Sequence, residues 1–237
     1  MATTDDSDAT SILSNHISPP RNVRIPLSEA FDLSGKFIRL AIGIGNEAST
    51  ISIHQDVLSR NSEFLKRALK PEWAALRDEP DIIDLSTHSP NDVKAYAHWL
   101  YSGTIPTRDF DDENGSKSDP IWIDLANAYV FGEKIMDRNY QKASLDTIAA
   151  YQANAPDFPC AESFVIIYDG TPDGSPARKL LSDMYAHGAY DAPDWKKEYE
   201  LLPHEALVDV LRATVRVRRE HYERPWTLST KTYREVE

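Results

Sequence analysis

The amino-acid sequence predicts an α+β fold: a small three-stranded sheet packed by a cluster of helices, followed by an all-helical extension. Apolar residues alternate over 38–44 and again over 49–54, and a short β-branched run stands at 82–85. An alternation of period two is that of half-buried strands. Between and beyond these runs the apolar period becomes helical, so the order is two strands, two helices, a strand and then helices to the end. Regularly alternating βα units, which a parallel α/β sheet needs, are absent from that order.

Each element has its own local signal. Ile38, Leu40, Ile42 and Ile44 alternate along the first strand, Gly45-Asn46-Glu47 supplies turn chemistry, and Ser49–His54 completes a hairpin. From Gln55 on, Val57, Leu58, Phe64, Leu65, Ala68 and Leu69 recur at helical spacing. Asn61-Ser62 caps the second of two short helices, and Trp73 closes the block. Ser89 as N-cap with Pro90 behind it opens a helix carrying Val93, Tyr96, Ala97, Leu100 and Tyr101 on one face, ended by Ser102-Gly103. Asp119-Pro120 opens the next, striped by Ile121, Leu125, Ala128 and Tyr129, and another follows on Tyr140, Ala143, Thr147, Ile148 and Tyr151. Pro156 and Pro159 break the chain before a helix near 161–168. Ser175-Pro176 starts a helix striped by Ala177, Leu180, Leu181, Met184 and Tyr185, and the last helix begins at Pro203 with Leu207, Val208, Leu211 and Val215.

The 237 residues carry 26 basic against 38 acidic side chains, a net charge of -12, which repels phosphate backbones and anionic membranes. Nucleic-acid and membrane partners are therefore not expected, and no apolar stretch reaches the ~20 residues of a spanning helix. One cysteine excludes an intramolecular disulfide framework and a cysteine-based zinc site, and fits an intracellular chain, cytoplasmic or nuclear. Residues 1–26 read as a flexible acidic arm and 224–237 as a tail.

The run Ile51-Ser52-Ile53-His54-Gln55-Asp56-Val57-Leu58-Ser59-Arg60-Asn61-Ser62-Glu63-Phe64-Leu65 resembles the BTB/POZ signature, an alternating strand ending in His with a Val-Leu pair behind it. Ile83-Asp84-Leu85 followed by Trp99-Leu100-Tyr101-Ser102-Gly103 is similar to the family's second signature. The resemblance covers about 34–151. A looser likeness over 167–172 and 178–183 is to the fungal BTB proteins with a helical C-terminal extension. It implies a BTB/POZ-like domain over 27–152 with an acidic loop at 108–119, then a helical extension over 153–223. It also implies a non-enzymatic protein-interaction module, a scaffold or adaptor that holds other proteins. Two alternatives stand beside it: a substrate adaptor of a cullin-type ubiquitin ligase, and an enzyme with an unrecognised site.

By the resemblance, the partner surface falls on Val93, Lys94, Tyr101, Ser102, Gly103, Thr104, Ile105 and Pro106. A weak homodimer would use an exchanged N-terminal element on Leu27, Ala30, Phe31 and Leu33. Two departures matter. Arg39 stands where many members carry an Asp after Ser34-Gly35-Lys36-Phe37, and Val93-Lys94-Ala95 lacks the Glu of cullin-binding members.

No catalytic, cofactor or metal residues are assigned. His54 has no nucleophile beside it in sequence and is expected to hydrogen-bond the first helix. Gly43-Ile44-Gly45 lacks the third glycine and the following helix of a dinucleotide loop. Cys160 has no identifiable His partner, and the histidines at 16, 54, 88, 98, 187, 204 and 221 never fall four apart on one helix. Arg212, Arg216, Arg218, Arg219 and Arg224 read as a solvated helix end opposing the dipole, with an acidic partner or nucleic acid as the alternative. Tyr96, Tyr101 and Tyr129 are assigned to the core.

Overall fold

A computed structural model describes residues 24–109, 120–154 and 157–218. The chain divides into two units, Met1–Phe31 and Asp32–Glu237. Of the first, residues 24–31 are described. They hold one 3₁₀ turn, Leu27–Glu29, closed by Glu29 and Ala30 N–H groups donating to Pro26 and Leu27 carbonyls. Leu27 is 91% exposed and Phe31 36%. The remainder of the arm, most of the acidic loop (110–119) and the tail lie outside the described residues.

The second unit opens with the sheet. Strand β1 (Phe37–Ile42) pairs antiparallel with β2 (Ser49–His54), Leu40 opposite Ile51, and parallel with β3 (Ile82–Asp84), Leu40 opposite Ile83. The order β2-β1-β3 makes a mixed sheet, so the fold is α+β. Ile38, Leu40 and Ile42 are buried on one face. Ile44, expected to continue that alternation, is 73% exposed, because the strand ends at Gly43. Gly43 turns the chain at φ +70°, and a Cβ there would lie 2.4 Å from the Glu47 carbonyl oxygen.

Two short helices follow, α1 (Gln55–Ser59) and α2 (Glu63–Ala68). Ser62 caps α2 as expected. Its hydroxyl accepts from Leu65 N–H and donates to the Ile135 carbonyl, and it is wholly buried. Val57, Leu58 and Leu65 enter the core, whereas Phe64 is only half-buried. Trp73 lies exposed on α3 (Pro71–Ala74). Helix α4 (Pro90–Ser102) buries Val93, Tyr96, Trp99 and Leu100, and ends on Gly103 in the left-handed region, whose N–H donates to the Trp99 carbonyl.

Helix α5 (Pro120–Lys134) is buried nearly all round. Its Ala128 and Phe131 join the sheet-side core, while Trp122, Leu125, Tyr129 and Val130 join a second, helical core. Helix α6 (Arg138–Asn154) is capped by buried Asp137, whose Oδ1 accepts from Asn139 and Tyr140 N–H at 3.0 Å each. The second core is filled from α7 (Ala161–Gly170) and α8 (Pro176–Gly188), with Ser175 capping α8. A helix the sequence did not suggest, α9 (Pro193–Leu201), packs Trp195 and Tyr199 on Tyr185. Among the described residues there are ten α-helices, and none is long and apolar enough to cross a membrane.

The last helix, α10 (His204–Val217), lies on α8 with the opposite face to the one expected. Ala206 and Ala213 are buried with Val210 packed beside them, and of the expected stripe Leu207, Leu211 and Val215 are exposed while Val208 is half-buried. Small side chains let two helices approach closely, so α8 takes the alanine face and leaves the leucine face outside.

Candidate functional site: the end of helix α4

The surface predicted on 93–106 forms around the C-terminal turn of α4 and the extended chain behind it. Gly103 reverses the backbone, and the Ser102 hydroxyl then donates to the His98 carbonyl (2.9 Å) and accepts from Thr104 N–H (3.0 Å). Thr104 Oγ1 lies 2.8 Å from Ser102 Oγ and 3.0 Å from His98 Nε2. These local bonds hold the turn without burying it. Lys94, Tyr101, Ser102, Gly103, Thr104 and Pro106 are exposed, and Ile105 is half-buried against both cores. Val93 must be struck from the surface. It is fully buried, since it lies one turn before Tyr96 on the inward face of α4.

Tyr101 is 45% exposed, contrary to its assignment to the core. Its hydroxyl accepts from His54 N–H at 3.0 Å and lies 2.8 Å from His54 Nδ1. Donating its own proton to Nδ1 satisfies both bonds and places the imidazole proton on Nε2. His54 therefore ties the end of β2 to the end of α4, not to the first helix, with Phe37 packed against its ring.

Beyond Pro106 the chain is fastened to α5. Arg108 N–H donates to Asp124 Oδ2 at 2.7 Å, and its guanidinium grips the same carboxylate in a forked contact. That carboxylate holds the guanidinium proton more tightly than usual. Arg108, read from sequence as the start of the acidic loop, is thus its anchor. Between α4, residues 106–108 and α5 lies a groove of about 390 Å³ lined by Asn91, Asp92, Lys94, Ala95, His98 and Asp124 among others. Burial pushes the Asp92 carboxyl above the usual range, nearby Asp124 adds to this, and Lys134 opposes it. Sequence reasoning missed Asn91, His98, Arg108 and Asp124. The Arg108–Asp124 pair is 16 residues apart across 110–119, so no spacing rule could bring it together.

The other sequence candidates separate. Ala30 and Leu33 are exposed like Leu27 and Phe31. Arg39 pairs with Glu79 at 2.7 Å and lies 3.7 Å from Asp81, so its charge is engaged along the β3 edge. Cys160 is buried, and burial raises its thiol above the usual range. Arg212 pairs with Asp209, and Arg216 with Asp183. Arg219 and Arg224 lie outside the described residues. No group of three His, Cys, Asp or Glu that could hold a metal ion occurs among the described residues. No protein-family model matches this chain, and no curated protein matches it.

Proposed function

We propose that the chain is a non-catalytic protein-interaction module of BTB/POZ type, a scaffold that holds another protein on the end of α4. The observation that carries the reading is the Tyr101–Pro106 turn, held firm by Ser102, Thr104 and His54 yet left exposed beside the Asp92–Asp124 groove. A rigid, solvent-facing loop is preorganised for a partner and loses little entropy on binding. The order of hairpin, helix pair, parallel strand and helix ending in Tyr-Ser-Gly agrees with the resemblance. The exposed Leu27, Phe31 and Leu33 support weak pairing of the N-terminal element with a second copy.

Site-specific photocrosslinking in cells tests this. A photoreactive residue at Thr104 or Lys94 is expected to yield a discrete adduct with another protein, and one at exposed Lys142 on α6 is not. Adducts from Lys142 alone would overturn the assignment of the partner surface.

A further inference from the structure

Strand β2 is an outer strand of the sheet, and the directions of its backbone groups follow from β1 beside it. Arg39 N–H donates to the Asp81 carbonyl at 2.8 Å, and the Ala41 carbonyl accepts from Leu85 N–H at 2.9 Å, so both residues point toward β3. Successive residues of a strand point opposite ways, so Ile38, Leu40 and Ile42 bond Ile53, Ile51 and Ser49 of β2. Thr50, Ser52 and His54 then face outward. His54 N–H is taken by the Tyr101 hydroxyl at 3.0 Å, and beyond the other end Ala48 N–H turns back onto the Gly45 carbonyl at 3.2 Å. Between these two stops, Thr50 and Ser52 are exposed, and their amides and carbonyls make no hydrogen bond among the described residues. Natural sheets blunt such an edge with lysine, proline, a bulge or shortness. The opposite outer strand, β3, spans three residues, whereas β2 spans six and holds no proline, lysine, aspartate or glutamate.

Alternating free amides and carbonyls are a template for another strand. We propose that β2 pairs antiparallel with β2 of a second copy, about a twofold axis at Ile51, joining two three-stranded sheets into one. The two stops set the register. Thr50 of each chain falls opposite Ser52 of the other, and each pair exchanges both of its hydrogen bonds. A slip of one chain in either direction would set an outward residue against the engaged Ala48 or His54 amide. The side chains agree with this register. Thr50 and Ser52 hydroxyls meet on the polar face, and half-buried Ile51 meets its own copy on the core side. A formed strand fits this edge better than a loose peptide. A flexible segment would lose backbone freedom at every residue it lays down, for hydrogen bonds that replace those it made to water. Strand β2 of a second copy is already extended, and Ser49–Ile53 carries no charge to oppose the pairing. A contact along one strand falls short of the ~800 Å² per partner of a standard interface, so the dimer is expected in the micromolar range. The pairing does not depend on the α4 turn as a partner surface or on residues 27–33.

Sedimentation velocity of the full chain over low to high micromolar concentrations tests the association, and a disulfide tests the register. The wild type is expected to pass from monomer to dimer. Thr50→Pro removes an outward donor that no group in the described chain uses, so the fold should persist by circular dichroism. The twofold removes that donor twice, and the dimer should weaken by roughly 10-fold or more. Ser52→Lys, which leaves the backbone groups in place, should weaken it in the same direction. Under mild oxidation Ile51→Cys should give a disulfide-linked dimer, because a non-hydrogen-bonded antiparallel pair sets its Cα atoms about 4.5 Å apart; Ser49→Cys should give none. A wild type that stays monomeric at high micromolar concentration overturns the proposal. So does a disulfide through Ser49→Cys but not through Ile51→Cys. Slow exchange of the Thr50 and Ser52 amide protons in the monomer would assign the edge to the chain's own residues and overturn it as well. A photoreactive residue at Ser52 that joins a different protein in cells, and never a second copy, would give the edge to a partner's strand and refute the self-pairing. A dimer abolished by Leu33→Glu but indifferent to Thr50→Pro also refutes it and leaves the N-terminal pairing standing. Loss of the Thr104 crosslink bears on the α4 surface alone.

Discussion

Replacing Asp137 by alanine removes three hydrogen-bond acceptor contacts at once from a position with no exposure. Its Oδ1 caps the first turn of α6 through Asn139 and Tyr140 N–H, and its Oδ2 accepts from the Tyr96 hydroxyl at 2.8 Å. Loss of a helix N-cap costs about 1 kcal/mol. The larger part comes from Tyr96, itself buried: its hydroxyl would be left without an acceptor, at about 1–3 kcal/mol. Asp137→Ala is therefore expected to cost about 2–4 kcal/mol in urea unfolding followed by circular dichroism. Asp137→Asn should cost about 1 kcal/mol, since its carbonyl keeps the cap and the tyrosine hydroxyl can turn to accept from the amide. A double-mutant cycle with Tyr96→Phe should give a coupling of about 1–2 kcal/mol. If Asp137→Ala costs less than about 1 kcal/mol, or Tyr96→Phe costs the same in both backgrounds, the buried link between α4 and α6 is not a source of stability.

Leu65→Ala should cost about 2–5 kcal/mol, while half-buried Phe64→Ala should cost less, about 1–2 kcal/mol; the reverse order in chemical denaturation refutes the packing of α2. Burial lowers the His88 pKa below 6.5, with Lys134 acting the same way. The unfolded chain then binds the proton more readily, so stability should fall as pH drops through 6.5 and level off below the folded value. His88→Gln should remove that increment, and a His88 NMR titration midpoint above 6.5 would contradict the sign. Arg178, 8% exposed, donates to the Tyr168 and Thr171 carbonyls, to Thr171 Oγ1 and to Asp173. Arg178→Lys should cost about 2–3 kcal/mol, as an ammonium cannot span those directions; a loss within 0.5 kcal/mol would show that the α7–α8 turn does not need the fork. By the resemblance, Ala95 stands at the Glu position of the apolar-x-Glu pattern of cullin binders, so calorimetry with a cullin N-terminal domain should give micromolar or weaker binding; low-nanomolar binding abolished by Tyr101→Ala would favour the ligase-adaptor reading.

The parts legible in sequence were those set by local chemistry. Alternation gave β1 and β2, and hydroxyl caps at Ser62, Ser89 and Ser175 gave the starts of α2, α4 and α8. Ser89 acts there by backbone geometry alone, without a side-chain cap bond. The parts hidden were those set by what packs on what. Helix α9 was obscured by the charged residues from Asp194 to Glu200 around Trp195 and Tyr199, and its role follows only from Tyr185 arriving from α8. The phase of α10 turned because Ala206 and Ala213, with Val210 beside them, are the side chains that fit against α8. Buried Asp137 and Arg178 are charged residues whose partners come from other elements or a folded turn. At the candidate site, the Tyr101–Gly103 end was visible, but the Arg108–Asp124 clasp that shapes the groove was not.

Helix α5 is the shared wall of both cores, with Phe131 facing the sheet side and Trp122, Leu125 and Val130 facing the helical side. At Gly170 the approach of α7 is so close that a Cβ would fall 2.4 Å from Val130. A wall common to two chambers couples their melting. Opening either side strips α5 of half its cover, so local opening of α7 and α8 carries a free energy near that of global unfolding. The helical half is therefore not a lid that swings free of the sheet half. Amide protons along α5 should show one free energy of opening whichever core they face.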